Sequence, residues 1–172
     1  MGNIIMIEGA DNVGKSTIGK ALAKRIHYDY FKMSRSNIFV KKEDPKIVEA
    51  MHAFQIESFY NFSVLVNFNV ILDRFYLSEI VYGKLFRKID EDFLWEYDKK
   101  FAKLNLKLIV LKKDENKLED ELWTNEQLCT IQRKYVETYE KSACDKILID
   151  TSNEDLESQL SQIINFLKIK QS

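Results

Sequence analysis

Eight residues near the N-terminus, Gly9-Ala10-Asp11-Asn12-Val13-Gly14-Lys15-Ser16, carry the strongest signal in this sequence. They match the pattern G-x-x-x-x-G-K-[ST], with the apolar run Ile4-Ile5-Met6-Ile7 before them and helical spacing over 16–27 after them. In this setting the loop turns backbone N–H groups towards phosphate oxygens, and the helix adds the positive end of its dipole. The segment therefore predicts a loop that binds the phosphates of a nucleoside triphosphate.

The residue types in this loop also predict how a donor and a metal would be held. Lys15 places a cation on the terminal phosphates, and Ser16 supplies a hydroxyl to Mg²⁺. Asp73 ends the apolar strand 70–72 and is the expected acidic partner of that metal. We therefore expect ATP and Mg²⁺ as cofactors, with the following residues at the donor: Asn12, Val13, Gly14, Lys15, Ser16 and Thr17.

Short apolar strands alternate with helical periods along the whole chain. We predict strands at 4–7, 28–33, 70–72, 106–111 and 147–149, with helices at 16–27, 45–67, 77–87, 91–103 and 117–140 and a last helix over 156–167. Thr151 with Glu154 is typical of a capping box before that last helix. Buried parallel strands joined by helices form a sheet covered on both faces, so we predict a three-layer α/β fold in one domain, residues 1–172.

Composition excludes several classes of partner. The 172 residues carry 26 basic and 27 acidic side chains, a net charge of −1, which argues against binding nucleic acid by bulk charge. No apolar stretch approaches 18 residues, so we expect no membrane-spanning helix. The N-terminal apolar run is too short for a signal peptide. We therefore expect a cytoplasmic protein that acts on small molecules.

Arg74 follows Asp73 and is expected to enter the same crevice, because ligands of such sheets bind beyond the carboxyl ends of the strands. An arginine there suits bidentate capture of a phosphate on an acceptor. The alternative is an ion pair with a neighbouring carboxylate.

Two segments resemble thymidylate kinases. Residues 8–17, E-G-A-D-N-V-G-K-S-T, are similar to that family's E-G-x-D-x-x-G-K-[ST]-T, and residues 73–82, D-R-F-Y-L-S-E-I-V-Y, resemble its D-R-[YF]-x-x-S-x-x-x-[YF]. The resemblance implies a P-loop nucleotide kinase with strand order 2-3-1-4-5 and a short lid near 112–125. The implied reaction transfers the ATP γ-phosphoryl group to a deoxynucleoside monophosphate, dTMP-like or a modified pyrimidine.

The same resemblance implies roles for acceptor-side residues. Asp11 would lie near the acceptor's sugar hydroxyl and phosphate, and Arg74 would hold that phosphate. Tyr82 would pack under the sugar, and Ser78 would support the pocket. Lys15, Arg74 and Asp11 are thus the expected catalytic groups.

Recognition of the base is expected from the helix before the third strand. Phe54 matches the family's stacking aromatic, but Ser58 stands where the base-reading arginine would be. Gln55 is an alternative reader, since an amide can pair with a base edge. A core position for Phe54 and a solvated one for Gln55 are the alternatives.

Many relatives carry a charge-stabilising arginine in the loop or the lid, and Asn12 occupies the loop position here. Lys112, Lys113 and Arg133 are the candidates to replace it, although Arg133 also suits a solvated helix face. Arg35 follows the second strand, where the resemblance implies a basic residue that approaches the acceptor phosphate; a surface arginine is the alternative.

The segment 31–36 contains no acid that could deprotonate a neutral hydroxyl, which favours a monophosphate acceptor over a nucleoside. A deoxynucleoside kinase, a kinase of DNA 5′ ends or modified bases, and a nucleotide-binding switch remain open. So does a homodimer formed through the apolar face of residues 54–68, which a buried core explains equally well.

Overall fold

The structure, a computed structural model, describes residues 2–33, 45–87 and 91–168. Its elements are β1 (Ile4–Glu8), α1 (Lys15–Ile26), β2 (Asp29–Lys32), α2 (Pro45–Leu65), β3 (Val70–Asp73), α3 (Tyr76–Tyr82), a π-helical turn (Gly83–Arg87), α4 (Asp92–Lys103), β4 (Lys107–Lys112), a 3₁₀ turn (Glu115–Lys117), α5 (Asn125–Lys141), β5 (Asp145–Asp150) and α6 (Leu156–Leu167). All five predicted strands are present.

The five strands form one parallel sheet in the order β2-β3-β1-β4-β5, which confirms the predicted fold class. The central strand β1 is buried along its whole length. Its residue Ile7 lies opposite Asp73 of β3, and the N–H of Arg74 donates to the Ile7 carbonyl over 2.9 Å. This register brings the segments that follow β1 and β3 together at one edge of the sheet.

Helices cover both faces of the sheet. α1 packs with α6, and α3 packs with α4 and α5. Ile18 and Leu22 of α1 are fully buried in the first layer, and Tyr76, Phe101 and Tyr135 are fully buried in the second. Because both faces are covered, the central strands β1, β3 and β4 contain continuous apolar runs, whereas the edge strand β2 is largely exposed. Among the described residues, no helix is long and apolar enough to cross a membrane.

The predicted helix over 117–140 is wrong at its start, because α5 begins only at Asn125. Thr124 caps it: the Thr124 hydroxyl accepts from the Gln127 N–H, and the Gln127 side chain accepts from the Thr124 N–H. Residues 118–124 form a loop instead. The predicted lid region, 112–125, thus comprises the end of β4, the 3₁₀ turn and this loop.

The predicted capping box of Thr151 and Glu154 is also wrong. The helix cap is Asp155, whose carboxylate accepts from the Ser158 N–H over 3.0 Å. The Thr151 hydroxyl instead donates to the Val13 carbonyl over 3.0 Å. A buried tertiary contact to the loop after β1 has taken the side chain that local spacing assigned to the helix.

Candidate active site at the carboxyl ends of the strands

The loop between β1 and α1 has the backbone that its glycines predict. Gly9 has φ 145° and Gly14 has φ 93°, and Asn12 also lies in the left-handed region at φ 57°. A Cβ on Gly9 would lie 2.5 Å from the Leu111 carbonyl oxygen of β4. Glycine is therefore required at position 9 both by conformation and by space.

Lys15 is a cation held in a buried place. Its side chain starts at the first residue of α1, and the residue is only 7% exposed. The ammonium donates to the carbonyl of Ala10 in its own loop. Burial, together with the nearby Arg74 cation, lowers the pKa of Lys15 to about 7, against the opposing effects of Asp11 and Asp73. An anion that arrives beside this group would favour its charged form.

Asp73 offers an acceptor suited to a metal. One of its oxygens, Oδ2, accepts from the Ser16 hydroxyl and from the Tyr30 hydroxyl, both over 2.6 Å. The other oxygen, Oδ1, is buried and has no hydrogen-bond partner among the described residues. The predicted pair of Ser16 and Asp73 is thus brought together, with one carboxylate oxygen left to ligate a cation.

The described residues hold no cluster of three or more His, Cys, Asp or Glu side chains that could form a metal site by themselves. Mg²⁺ nevertheless commonly takes one or two protein ligands and completes its octahedron with water and substrate phosphates. The Ser16 hydroxyl and the Asp73 carboxylate fit that use.

Arg74 is the centre of a cluster with Asp11, Ser78, Tyr82 and Tyr135, which we call the acceptor-side cluster after the role expected from the sequence. It has φ 68°, a conformation that non-glycine residues rarely adopt, and its side chain is 16% exposed. Its Nη2 pairs with Asp11, and its Nη1 donates to the Tyr135 hydroxyl over 2.8 Å. Weaker contacts of 3.4 Å reach the hydroxyls of Ser78 and Tyr82. The ion pair with a neighbouring carboxylate, the alternative considered for Arg74, is therefore present.

Asp11 is held from two sides. Its second oxygen accepts from the Tyr82 hydroxyl over 2.9 Å. Burial by itself would raise the pKa of Asp11, but the cations of Arg74 and Lys15 more than offset burial and lower it. Asp11 is therefore ionised at neutral pH and joins the loop after β1 to the loop after β3.

Glu8 and Tyr135 belong to this cluster, and sequence reasoning assigned no role to either. The Glu8 carboxylate is fully buried and accepts from the Phe75 N–H over 2.7 Å and from the Ser78 hydroxyl over 2.7 Å. Burial raises the pKa of Glu8 to about 7, against the effects of Ser78 and Arg74. An acid at the end of an apolar strand was a usable signal for Glu8, whereas Tyr135 lies in α5 without any local motif.

Tyr30 was also missed, although it lies on the predicted second strand. Burial and its hydrogen bond to Asp73 raise the pKa of the Tyr30 hydroxyl to about 12. The contact arises because β2 pairs with β3 in parallel, which only the tertiary structure reveals.

The predicted base readers lie on the exposed surface of α2. Phe54 is 71% exposed, and Gln55 is exposed beside it on α2. Together with Lys46, Ala50 and Met51 they line an open pocket that includes no residue of the loop after β1. Gln55 is thus solvated, which was the alternative considered for it, and Phe54 is exposed rather than part of the core. Arg35 lies outside the described residues.

The three candidate lid cations point to surface carboxylates. Lys112 lies 3.5 Å from Asp150, and Lys113 lies 3.0 Å from Glu154. Arg133 forms two hydrogen bonds of 2.9 and 2.7 Å with Glu115 on the exposed face of α5. In this structure these three cations are engaged away from Lys15 and Arg74.

Asn12 instead ties the loop after β1 to the 118–124 loop. Its amide nitrogen donates to the Glu119 carbonyl over 2.8 Å and to the Asp120 carboxylate over 2.9 Å. The loop position where many thymidylate kinases carry an arginine therefore holds an uncharged side chain here, which contacts the predicted lid region.

The sequence matches no family model, and no curated protein matches it. Solved structures share the fold. YorR from Bacillus subtilis, in complex with phosphorylated GDP, has 24% sequence identity over 96% of this chain and 95% of its own, with a TM-score of 0.73. Thymidylate kinase from Ehrlichia chaffeensis has 18% identity over 97% and 100%, with a TM-score of 0.66.

Deoxyadenosine kinase from M. mycoides, with dCMP and a flexible dCDP bound, has 22% identity over 95% of this chain and 97% of its own, with a TM-score of 0.60. Sequence identities of 18–24% show a shared fold and no more than that. The chain therefore has the fold of P-loop nucleotide kinases.

Proposed function

We propose that this protein is an ATP-dependent nucleotide kinase that phosphorylates a deoxynucleoside monophosphate, dTMP-like or a modified pyrimidine. One observation carries the proposal: Lys15 and Arg74, both largely buried, contact adjacent positions of one loop. Lys15 reaches the Ala10 carbonyl, and Arg74 pairs with Asp11. Two cations that contact one short segment are suited to binding the two phosphate groups between which a phosphoryl group is transferred.

The chemistry of phosphoryl transfer asks mainly for positioning and charge neutralisation. Lys15 would bind the terminal phosphates of the donor at the start of α1, where the helix dipole also favours anions. Ser16 and Asp73 would hold Mg²⁺, which when bound neutralises charge on the donor phosphates. Arg74 would exchange its contact with Asp11 for the acceptor's phosphate, to which a guanidinium can bind with two parallel hydrogen bonds.

The state of the acids near Arg74 supports a monophosphate acceptor. A nucleoside hydroxyl needs a base, whereas a phosphate is already an anionic nucleophile at neutral pH. Glu8 is enclosed by donors from Phe75 and Ser78 and is therefore not presented as a free base in the described part of the site. Asp11 would keep its hydrogen bond from Tyr82 when Arg74 binds the phosphate.

Asp11 and Tyr82 would also select the sugar. The Tyr82 ring lies beside the Arg74 guanidinium, whose central carbon is 5.4 Å from the ring centroid. A bulky ring under the sugar would leave little room for a ribose 2′-hydroxyl. We therefore expect deoxynucleotides to be accepted over ribonucleotides.

The test is transfer of label from γ-labelled ATP to a panel of nucleosides, monophosphates and oligonucleotides. We expect a deoxynucleoside monophosphate to be labelled, and Lys15→Ala to lower its kcat/KM by roughly 10²–10³-fold, the scale of losing one preorganised charge-stabilising group. Lys112→Ala, which removes a surface lysine paired with Asp150, is the matched control and should keep full activity.

Circular dichroism and a thermal melt of Lys15→Ala would show that its fold is retained. Undiminished turnover by that variant would contradict the proposal. So would labelling of nucleosides or DNA ends with no labelling of any monophosphate.

A further inference from the structure

Three aromatic side chains form a cluster, and the proposed function uses only one of them, Tyr82. Tyr82 ends α3, Phe86 lies in the π-helical turn and Trp123 lies in the 118–124 loop. The ring centroid of Tyr82 lies 6.1 Å from that of Phe86 and 6.3 Å from that of Trp123. Phe86 and Trp123 stack at 5.0 Å with an interplanar angle of 28°. We call these three rings the aromatic wall.

The aromatic wall begins at the acceptor-side cluster. The Tyr82 hydroxyl donates to Asp11 over 2.9 Å, and the Arg74 guanidinium lies against the Tyr82 ring. Phe86 and Trp123 both lie next to the Tyr82 ring and extend the wall beyond it. A nucleotide whose phosphate met Arg74 would therefore extend its sugar and base along a surface built of rings.

Part of this surface is open to a ligand. Phe86 is 47% exposed although it stacks on Trp123, and Trp123 itself is only half-buried. Planar rings recognise planar rings through stacking, which tolerates any base because every base has a π-face.

Trp123 owes its place to the loop after β1. Asn12 donates to Glu119 and to one oxygen of Asp120, and the other oxygen of Asp120 accepts from the Leu122 N–H over 2.8 Å. These contacts hold the 118–124 loop against the phosphate-binding segment. The ring of Trp123 is thereby positioned by the same loop that carries Lys15 at its end.

We propose that Trp123 and Phe86 bind the planar base of the acceptor nucleotide, the role that the sequence had assigned to Phe54. The inference rests on the proposed function, because the acceptor's phosphate must lie at Arg74 for its base to reach the wall. Phe54 lines a separate pocket on α2, whereas Phe86 and Trp123 join the acceptor-side cluster directly through Tyr82.

The kinetic test compares Trp123→Ala with Trp123→Phe and with Leu122→Ala, whose side chain is 85% exposed next to it. We expect Trp123→Ala to raise the KM for the monophosphate roughly tenfold, the scale of one lost base-stacking contact, and to leave the KM for ATP unchanged. Trp123→Phe should recover most of the loss, and Leu122→Ala should match the parent protein. Phe86→Ala, at a partly exposed position, provides a second variant with the same expected direction.

A base-free probe separates stacking from support of the fold. Deoxyribose 5-phosphate keeps the sugar and phosphate but lacks the base. It should inhibit the parent protein and Trp123→Ala with equal affinity, while the monophosphate binds the parent better than the variant. In Trp95→Phe, Trp123 is the remaining one of the two tryptophans, and its fluorescence should change when the monophosphate is added.

The outcomes are distinguishable. Monophosphate phosphorylation with a parent-like KM in both Trp123→Ala and Phe86→Ala would overturn this inference and leave the kinase proposal standing. Equal losses for ATP, monophosphate and deoxyribose 5-phosphate in Trp123→Ala would show a structural role and also overturn it. If the parent protein neither binds nor phosphorylates any monophosphate, the proposed function fails and the inference fails with it.

Discussion

Glu8 and Asp98 are both carboxylates buried in the protein, at 0% and 1% exposure, and each accepts three hydrogen bonds from nitrogen and oxygen donors. Glu8 accepts from the Phe75 N–H and from the N–H and hydroxyl of Ser78. Asp98 accepts from the Tyr76 hydroxyl, the Ser142 hydroxyl and the Ala143 N–H over 2.6–2.7 Å. The difference between them lies in where their networks lead.

The network of Glu8 opens towards the crevice. The Ser78 hydroxyl also contacts the Tyr135 hydroxyl over 2.8 Å, and that hydroxyl accepts from Arg74 over 2.8 Å. The network of Asp98 closes on Tyr76 of α3 and on the connection between α5 and β5. One buried acid therefore ends at a side chain proposed to bind substrate, and the other fastens three segments of the core.

Removing the closed network should have the largest effect on stability. Asp98→Ala leaves the buried hydroxyls of Tyr76 and Ser142 without this acceptor, each costing about 1–3 kcal/mol, so the free energy of unfolding should fall by at least about 2 kcal/mol. Turnover by the folded protein should be unchanged. Urea unfolding measures the first quantity, and a loss below about 1 kcal/mol would break the contrast with Glu8.

The open network should make stability depend on pH. Burial raises the pKa of Glu8 from its ordinary value of 4.5 to about 7, so between these values the folded protein holds a proton that the unfolded chain has released. The free energy of unfolding attributable to Glu8 is constant below pH 4.5 and falls as the pH rises through 7. Each pKa unit corresponds to about 1.4 kcal/mol, so the loss approaches about 3 kcal/mol.

The matched variant for this prediction is Glu8→Gln, which imitates the protonated acid. The urea midpoints of the two proteins should be similar near pH 4.5. They should separate as the pH rises to 8, because only the parent protein loses the stability that depends on Glu8. Parallel pH profiles would show that Glu8 does not titrate in this range.

A tyrosine-to-phenylalanine substitution in each of the two networks tests the comparison between Glu8 and Asp98. Tyr135→Phe removes a hydroxyl that accepts from Arg74, and we expect the acceptor's KM to rise roughly fivefold, the equivalent of one hydrogen bond. Tyr76→Phe removes a hydroxyl that donates to Asp98, and should lower the free energy of unfolding by about 1 kcal/mol without changing that KM. Steady-state kinetics and urea unfolding of both variants provide the test. A raised acceptor KM in Tyr76→Phe, with an unchanged KM in Tyr135→Phe, would contradict the prediction.

The smallest effect is expected for an ion pair that is exposed at the surface. Glu115 and Arg133 form a bidentate pair on the surface, with the Arg133 side chain 67% exposed. Arg133→Ala should leave turnover unchanged, because exposed pairs are screened by solvent and salt. A large loss of kcat with normal binding would instead make Arg133 a lid cation.

The loop of residues 9–16 and the strands themselves could be predicted because their causes are local, whereas the strand order was expected only from the resemblance to thymidylate kinases. Glycine is needed where φ is positive, as at Gly14, and apolar runs such as 70–72 have the length of buried strands. Asp73 and Arg74 could be placed at the same edge because all strands of a parallel sheet point the same way. These are properties of short segments, and a single sequence contains them.

The partners of those residues were decided by tertiary packing. Tyr135 meets Arg74 across 61 positions, Tyr30 meets Asp73 across 43, and Thr151 meets Val13 across 138. No periodicity in the chain marks such pairs. A phosphate-binding loop is encoded in adjacent residues because backbone conformation is local, whereas the hydroxyls and rings around it are chosen by whichever helices and loops the sheet brings alongside.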